Sequence, residues 1–582
     1  MKHLLQYFIF LLNLTLFIYS LFPVQAFAQD NPSAVQFHGS NVLIGQYANR
    51  QGTNSMLPKA FLRNDLQMTL TVYDIPIASR FFISTEQNGY SQSIDNLSFY
   101  IDLNALKRNK ARIEAKNKAM NLKNTKAPWM LRFLSNFSRI EAGRFRPIYG
   151  DLNLKGVSVS GVNIEFTNKI VYAAFATGQL KKATEGTSIL NKSYKQNLMF
   201  GKFGFGEKRR THFYLTYMHI EDEAPKTEWD YEFGDTTLKP QSNVVFGAEF
   251  RLSFIKNKWV IDGDAGLSFL TRDTRIPITY DSVLENVPQF LLNAVKPNIT
   301  TSYDVVYGMK TKLSLRTTTI TAGYRLIGAG YTTLGNPNLI NDRQTINGRI
   351  DQAFLNRRLT VSVFYRQFKD NLIDWKIGTT VSTSYGINAR LSLRKIPYFQ
   401  ISYTPNKQET KGDNLNIKNN MDVISASTGY NYPIGTLKSF TSLSYFYQNA
   451  DYDRDTLSTF NNTQTITLNQ ILNFKIPLRL NFNASYSDIK HTNFNRNVVS
   501  IVLSASHQAF KNKWKNTLGG RYLQTNGLLD QNKFSLYWNT QIRLWKGGEL
   551  GLSFEENIFK DSGGLSEDYN EFIARCKLSV RW

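Results

Sequence analysis

Apolar and polar residues alternate along most of this chain, and the alternation is most regular in the last eleven residues. Every second position there carries a mostly apolar side chain: Phe572, Ala574, Cys576, Leu578, Val580 and Trp582. The positions between them include the basic residues Arg575, Lys577 and Arg581. A period of two is that of a β-strand with one apolar face and one polar face. The pattern therefore predicts a final strand whose two faces meet different surroundings.

Short polar breaks divide much of the chain at intervals of roughly 40 residues, enough for two membrane-spanning strands of about 10 residues and their connection. The breaks fall near 168, 207–209, 256–258, 316–317, 357–358, 395–397, 433–435, 477, 511–513 and 546–548. Longer polar segments alternate with them, at 181–193, 221–241, 271–300, 328–344, 405–418, 450–461 and 560–566. Short turns at one end and long loops at the other are typical of a transmembrane β-barrel.

The spacing predicts 20 strands after residue 168, and Phe137–Phe145 with Gly156–Thr167 adds one hairpin to give 22. Four further segments, near 35–47, 64–74, 76–86 and 95–102, bring the total to 26. We therefore predict an all-β fold, a large antiparallel transmembrane barrel of about 26 strands. The alternative is a barrel of 22 strands with residues 29–135 as an N-terminal plug in its lumen.

The N-terminus predicts export. Met1-Lys2 gives a positive start, residues 4–22 are almost wholly apolar, and Ala26-Phe27-Ala28 has the small residues of a signal-peptidase site. Residues 1–28 are thus predicted to be a signal peptide cleaved near Ala28, and residues 29–582 the barrel. Beyond residue 28 no run of 18 apolar residues occurs, so a membrane-integral chain would cross the bilayer with a closed sheet.

A final strand that ends on an aromatic residue resembles the assembly signal of bacterial outer-membrane β-barrel proteins, and the matching positions here are Phe572, Leu578, Val580 and Trp582. The resemblance implies a place in the cell outer membrane. It also implies contact with outer-membrane lipid and lipopolysaccharide, and recognition by the barrel-assembly machinery.

A second resemblance lies at Asn336-Pro337-Asn338-Leu339. It is similar to the Asn-Pro-Asn-Leu motif that closes an extracellular loop in TonB-dependent receptors. The usual continuation is Lys-Pro-Glu, whereas Ile340-Asn341-Asp342 follows here. Because proline fixes φ and asparagine favours turns, other large barrels could use the same solution. Residues 29–135 show no convincing plug fingerprint, so the chain resembles a receptor-like barrel without a recognisable plug.

The net charge of +24 does not come from one basic tract, so we expect no nucleic-acid partner. Basic residues instead sit mostly at alternate strand positions. The lumen-lining candidates are Arg251, Lys310, Lys312, Arg316, Arg390, Arg394, Arg479, Arg575, Lys577 and Arg581. A basic lumen favours anions, although solvated structural charge explains the same pattern.

Residues 103–126 depart from strand character. Lysine and arginine are frequent there, and Leu106, Ile113 and Met120 have helical spacing. We expect a short basic periplasmic helix or connector. It either contacts a periplasmic partner protein or is simply solvated.

The segment from Gly143 to Gly161 combines a strand end, a turn and a glycine-containing hairpin. It resembles a segment of uncharacterised outer-membrane barrels. Two interpretations remain open: a constriction of the lumen, or a tight hairpin that needs glycine.

Two acidic segments are candidate cation sites, because hard cations bind several oxygen ligands. The first includes Glu221, Asp222 and Glu223 and continues through Glu228, Asp230, Glu232 and Asp235. The second contains Asp451, Asp453 and Asp455. Plain solvated loop charge is the alternative for both.

The six histidines show no metal-ligand spacing, and no catalytic constellation is recognisable. We therefore expect no enzyme activity and no cofactor. The favoured function is a porin-like or transporter-like barrel that moves solute or exported material through a basic lumen. The alternatives are a ligand-binding receptor of the TonB-dependent type and a non-enzymatic scaffold of a secretion or envelope-assembly complex.

Overall fold

The structure is a computed structural model. It describes residues 35–52, 59–85, 96–120, 126–184, 193–223, 238–276, 289–413, 415–455, 457–527, 530–564 and 566–582. The predicted signal peptide, residues 1–28, and the acidic residues 228–235 lie outside the described residues.

Strands make up most of the described chain. The first thirteen are β1 (Val35–Gln51), β2 (Ala60–Val72), β3 (Ile75–Ser84), β4 (Asn96–Ile101), β5 (Phe137–Phe145), β6 (Val159–Thr167), β7 (Val171–Lys181), β8 (Lys195–Gly206), β9 (His212–Glu223), β10 (Ser242–Phe254), β11 (Trp259–Thr271), β12 (Thr301–Ser314) and β13 (Thr318–Ile327). The next are β14 (Arg343–Phe354), β15 (Leu359–Asp370), β16 (Gly378–Leu391), β17 (Tyr398–Gly412), β18 (Leu415–Ile434), β19 (Leu437–Arg454), β20 (Leu457–Asn473), β21 (Leu478–His491), β22 (Phe494–Ala509), β23 (Trp514–Gly527), β24 (Gln531–Trp545), β25 (Gly548–Asp561) and β26 (Tyr569–Arg581).

These 26 strands form one sheet in which each strand pairs antiparallel with its neighbours in sequence. The sheet closes on itself because β1 pairs with β26, from Ser40 opposite Arg581 to Gln51 opposite Asn570. The prediction of an all-β, 26-stranded antiparallel barrel is confirmed. The alternative of 22 strands around a plug is wrong, since β1 to β4 belong to the barrel wall.

The two faces of the wall follow the alternation of the sequence. The outer face carries exposed apolar side chains, among them Phe175, Leu215 and Ile401. The inner face carries the intervening residues, which are mostly polar. This division is expected of a barrel with lipid outside and water inside.

The two ends of the barrel differ in their connections. At one end, here called the short-turn end, all hairpins except β4–β5 are joined by short turns such as 255–258 and 510–513. At the other, the loop end, several connections are long. The long loops predicted at 405–418 and 450–461 are wrong, because β17 to β20 continue through them as paired strands. Their polar and charged sequence is typical of a loop, but polar residues on a projecting hairpin still form a hydrogen-bond ladder.

Three α-helices occur in the described part of the chain: α1 (Leu103–Ala119), α2 (Trp129–Leu134) and α3 (Gln289–Val295). The predicted basic helix corresponds to α1, which begins where the Asp102 side chain accepts hydrogen bonds from the amides of Asn104 and Ala105. Helices α1 and α2 connect β4 to β5 at the short-turn end, whereas α3 belongs to the β11–β12 loop. None of the described helices has the length and hydrophobicity needed to cross a membrane.

The C-terminal tryptophan lies at the seam that closes the barrel. Its backbone exchanges two hydrogen bonds of 3.1 Å with Gly39, and its ring packs against Phe37 with centroids 6.2 Å apart. Towards the other end of the seam, Arg50 and Glu571 form an ion pair of 2.6 Å. Phe572, another residue of the predicted assembly signal, is exposed on the outer face.

The seam gives a first prediction. A Cβ atom on Gly39 would lie 2.7 Å from the Trp582 ring, whereas a Cβ atom on Gly45 of the same strand meets only Leu62, at 3.8 Å. Gly39→Val should therefore destabilise the closed barrel by about 1–3 kcal/mol, the usual effect of overpacking, and Gly45→Val by less. The measurement is the unfolding temperature, followed by heat-dependent gel migration. Equal unfolding temperatures for the two variants would contradict a closure that depends on this contact.

Candidate functional site

The inner face of the barrel is buried on one side and exposed on the other. Inward-facing side chains of β6 to β9, such as Asn163, Glu165 and Tyr214, are almost completely buried. Several inward-facing residues of β23 and β24 are exposed, including Arg521 and Gln541, whereas Thr525 and Ser535 are buried. Part of the chain must therefore cover the inner face of β6 to β9, whereas the inner face of β23 and β24 borders the open lumen.

Two connections at the loop end fold into the lumen and cover the β6–β13 side. We call residues 146–158, between β5 and β6, the first constriction loop, and residues 328–342, between β13 and β14, the second. They bind each other directly: the Tyr331 hydroxyl donates to the Leu152 carbonyl at 2.7 Å, and the Thr333 hydroxyl donates to the Asn153 carbonyl at 2.9 Å. Leu154 of the first loop and Tyr331 of the second are buried in the same hydrophobic cluster. The two segments that the sequence singled out thus form one unit.

Local sequence explains how the two loops approach so closely. The amide of Lys155 donates to the Gly335 carbonyl at 2.9 Å, and a Cβ atom on Gly335 would lie 2.7 Å from the Met218 sulfur. Glycine is needed at 335 because there is no space for a side chain. Pro337 follows, and the amide of Leu339 closes a turn by donating to the Asn336 carbonyl at 3.0 Å.

The second constriction loop is attached to the wall through Asn243 of β10, which is fully buried. Its amide nitrogen donates to the Thr332 carbonyl at 3.1 Å and to the Phe269 carbonyl at 2.9 Å. Its amide oxygen accepts from the Leu334 backbone at 3.0 Å. One side chain thereby satisfies backbone groups of both the barrel wall and the second constriction loop.

The first constriction loop is attached through Lys202 of β8, whose side chain is 3% exposed. The ammonium group forms an ion pair of 2.6 Å with Glu249 and donates to the Tyr149 carbonyl at 3.0 Å. The Tyr149 ring stacks on Phe200 with centroids 4.6 Å apart, and its hydroxyl donates to Asn163. Burial, followed by the nearby Glu165 carboxylate, raises the pKa of the Tyr149 phenol, so this donor keeps its proton at physiological pH.

A paired carboxylate supports the same part of the wall. Glu165 accepts hydrogen bonds from the Tyr172 hydroxyl at 2.7 Å and from Lys208 at 2.8 Å. Tyr172 stacks on Tyr214, with ring centroids 4.4 Å apart. A buried charge is tolerated when it is paired and hydrogen-bonded, and these contacts supply both conditions.

The second constriction loop ends at Asp342, whose side chain has no exposed surface. Asp342 accepts from the amides of Asn371 and Leu372 and from the Trp375 indole, and forms an ion pair of 2.6 Å with Lys376. Burial acts to raise the pKa of this carboxyl group, but Lys376, the Leu372 amide and Trp375 outweigh it, so the pKa lies below its ordinary value. Asp342 thus joins the constriction to the loop at 371–377.

The basic lumen candidates occupy two kinds of position. Eight lie on the inner face of strands: Arg251, Lys310, Lys312, Arg390, Arg479, Arg575, Lys577 and Arg581. Arg316 and Arg394 lie in short turns instead. Arg251 is paired with Asp262 at 2.7 Å, and Arg575 donates to the Gln46 side chain at 2.6 Å. A role in solute passage stays a prediction for all ten.

The acidic candidates do not converge on common sites. Glu221, Asp222 and Glu223 end β9, where successive side chains alternate between the two faces. Glu223 pairs with Lys195 at 2.6 Å and Asp222 accepts from Gln196 at 2.8 Å. Asp451 and Asp453 lie on β19 rather than in a loop, while Asp455, at the hairpin tip, accepts from the Asn416 amide at 3.3 Å. Among the described residues, no cluster of three or more His, Cys, Asp or Glu side chains could hold a metal ion.

Sequence reasoning did not identify Asn243, Lys202 or Asp342 as important. Lys202 carries a weak signal, because it is a charge within the aromatic and glycine-rich stretch from Phe200 to Phe205. Asn243 and Asp342 carry none, since their partners lie at least 25 residues away in sequence and include many backbone groups.

No protein-family model and no curated protein matches this chain. Solved structures similar to it include Pseudomonas aeruginosa OpdK with vanillate, at 9% identity and a TM-score of 0.29, covering 59% of this chain and 94% of that one. The P pilus usher PapC translocation pore matches at 10% identity and a TM-score of 0.25, covering 94% and 99%. An E. coli P pilus tip assembly intermediate matches at 9% identity and a TM-score of 0.42, covering 93% and 60%. Scores this low carry no argument about function, and the fold rests on the strand pairing itself.

A second prediction concerns Asn243. Asn243→Ala should leave the carbonyls of Thr332 and Phe269 and the Leu334 amide without this partner, weakening the docking of the second loop by about 1–3 kcal/mol. Hydrogen exchange across residues 330–341 should accelerate by roughly 5- to 150-fold. The control is Asn347→Ala, which truncates an inward-facing asparagine near Gly323 of the wall. Unchanged exchange in Asn243→Ala would contradict the proposed attachment.

A third prediction concerns pH. The folded pKa of Asp342 is lowered, so its contribution to loop docking is complete above the ordinary carboxyl pKa of 3.8 and is lost as the pH falls through the lower folded value. Hydrogen exchange at 371–377, corrected for the intrinsic rate, should stay slow at neutral pH and rise below about pH 4. Asp342→Asn should remove most of this acid dependence and accelerate exchange at neutral pH. An acid response that is the same in both proteins would show that other groups cause it.

Proposed function

We propose that this chain is an outer-membrane β-barrel channel that passes hydrophilic solute through a lumen narrowed by the two constriction loops. The observation that carries the proposal is the unequal inner face. One side is covered by docked loops and the other exposes polar and basic side chains to the lumen. A closed barrel with this interior is the arrangement expected of a pore.

Membrane insertion is supported by the exposed apolar outer face and by antiparallel closure, in which each described strand pairs with two neighbours. The terminal residues that resemble an assembly signal and the predicted signal peptide favour the outer membrane. In this orientation the short-turn end faces the periplasm. Lipid, lipopolysaccharide and the assembly machinery are then the expected partners.

A preference for anions follows from the charges on the open side. Exposed inner-face basic residues there include Arg479 and Arg521. On the covered side, by contrast, Lys202, Arg251 and Arg325 are paired with carboxylates. The field in the open part is therefore set by cations that are not locally neutralised, which raises the concentration of anions.

A TonB-dependent receptor is less well supported. The likeness was confined to the residues around Asn336–Leu339, and their role in this structure is to dock on the first constriction loop: the Asn336 amide nitrogen donates to the Asp151 carbonyl at 2.7 Å. The segment that a plug would require forms wall strands instead.

A fourth prediction tests the pore. Replacing residues 330–341 by Gly-Ser-Gly removes most of the second constriction loop and should increase single-channel conductance in planar bilayers, because it removes the obstruction on the covered side. The same replacement of residues 562–568, a loop between β25 and β26, is the control and should leave conductance near the native value. Absence of conductance in the native protein and in both variants would overturn the proposal.

A fifth prediction tests selectivity. Arg479→Glu together with Arg521→Glu reverses two exposed inner-face charges of the open side, on β21 and β23, and should shift the reversal potential in a salt gradient towards cations. Lys256→Glu with Lys258→Glu makes the same change in charge at a short turn and should shift it less. Equal shifts would place the selective charges outside the lumen.

A further inference from the structure

Helices α1 and α2 form an amphipathic unit at the short-turn end, beside the turn between β2 and β3. The unit is fixed to the barrel: Arg112 pairs with Asp74 at 3.1 Å, and Asn109 donates to the Asp74 carbonyl at 3.1 Å. Leu106 and Leu131 are buried between the unit and the barrel. The position of its outer surface is therefore set by the fold.

The surface of α2 is apolar and strongly exposed. Trp129 is 71% exposed, and Met130 and Phe133 are about half exposed. Phe133 packs edge-on against Phe137 at 5.4 Å, and Phe137 packs edge-on against Phe166 at 5.1 Å. Phe166 lies on the outer face of β6, so the apolar surface of α2 is continuous with the lipid-facing surface of the barrel.

The exposed face of α1 is basic. Lys107, Arg108, Lys116 and Lys118 are all exposed, and Glu114 is the only acidic residue of the helix. Arg132 adds an exposed cation on α2 beside Trp129 and Phe133. An apolar face with a tryptophan, flanked by lysine and arginine, is the composition of a helix that lies at a bilayer surface.

We propose that the α1–α2 unit binds the anionic phospholipid headgroups of the leaflet at the short-turn end, with Trp129, Met130 and Phe133 inserted at the edge of the hydrocarbon. This inference rests on the membrane insertion in the proposed function. Continuity with the lipid-facing wall favours a lipid occupant over a protein, and the excess of basic residues favours anionic headgroups.

The experiment places an environment-sensitive fluorophore at Met130→Cys in a Cys576→Ser background, since Cys576 is the only cysteine. The barrel is reconstituted in nanodiscs of phosphatidylglycerol or of phosphatidylcholine, with brominated lipid as quencher. The control label is at Ser392→Cys, in a short turn about opposite in the strand order. The Met130 label should be blue-shifted and quenched most strongly in phosphatidylglycerol, whereas the Ser392 label should remain in water.

A second comparison isolates the charge. The variant Lys107→Gln/Arg108→Gln/Lys116→Gln/Lys118→Gln should lose the preference for phosphatidylglycerol, and its affinity for that lipid should fall by at least about tenfold. The matched control, Lys256→Gln/Lys258→Gln/Lys511→Gln/Lys513→Gln, removes four charges from other short turns and should retain the preference. Both variants are first checked for native gel migration.

Two outcomes would overturn the inference. A Met130 label that stays in water with both lipids would leave the surface free for a protein partner. Equal shielding in both lipids would show apolar contact without recognition of charge. Single-channel conductance of the same proteins separates this inference from the pore: normal conductance with a water-exposed label overturns the lipid site alone.

Discussion

Every strand in a bilayer must find two hydrogen-bonded neighbours, because lipid offers no partner to a free strand edge. In the proposed membrane-spanning barrel, that requirement makes the pairing of the first strand with the last the contact on which the rest depends. The backbone bonds between Gly39 and Trp582 and the ion pair of Arg50 with Glu571 hold that seam. Once the ring is closed, the alternation of each strand decides which side chains face lipid and which face the lumen.

A ring of 26 strands encloses more space than wall side chains can fill, so any narrowing has to come from the chain itself. Here the two constriction loops narrow the lumen, and their backbones place many polar groups in a partly buried environment. Asn243 and Lys202 satisfy backbone carbonyls of the two loops from the wall, and Asp342, at the end of the second loop, binds backbone amides of the loop at 371–377. Their pairing is therefore a condition for the loops to remain inside the barrel, in addition to their contribution to packing.

The sequence was sufficient to predict the class of fold, the strand count and most turns, because each of these depends on local alternation and local breaks. It failed at 405–418 and 450–461, where the hairpins extend as paired strands and their polarity looks like that of a loop. It pointed to the segments around Gly156 and Asn336 but not to their contact, since the hydrogen bond from Tyr331 to Leu152 joins positions 179 residues apart. A contact between backbone groups far apart in sequence produces no periodic pattern of residues in either segment.

The two sides of the lumen differ in whether their charges are paired locally, a difference that the net charge of the chain does not reveal. Around the constriction, carboxylates such as Glu165, Glu249 and Asp264 pair with basic residues at 2.5–2.8 Å, so attraction holds the wall together while the local field is small. On the open side, exposed cations such as Arg479 and Arg521 have solvent beside them and act at longer range. In the proposed channel the same residue types would serve two purposes: neutralised pairs fix the shape of the lumen, and exposed cations set the potential that a solute would meet there.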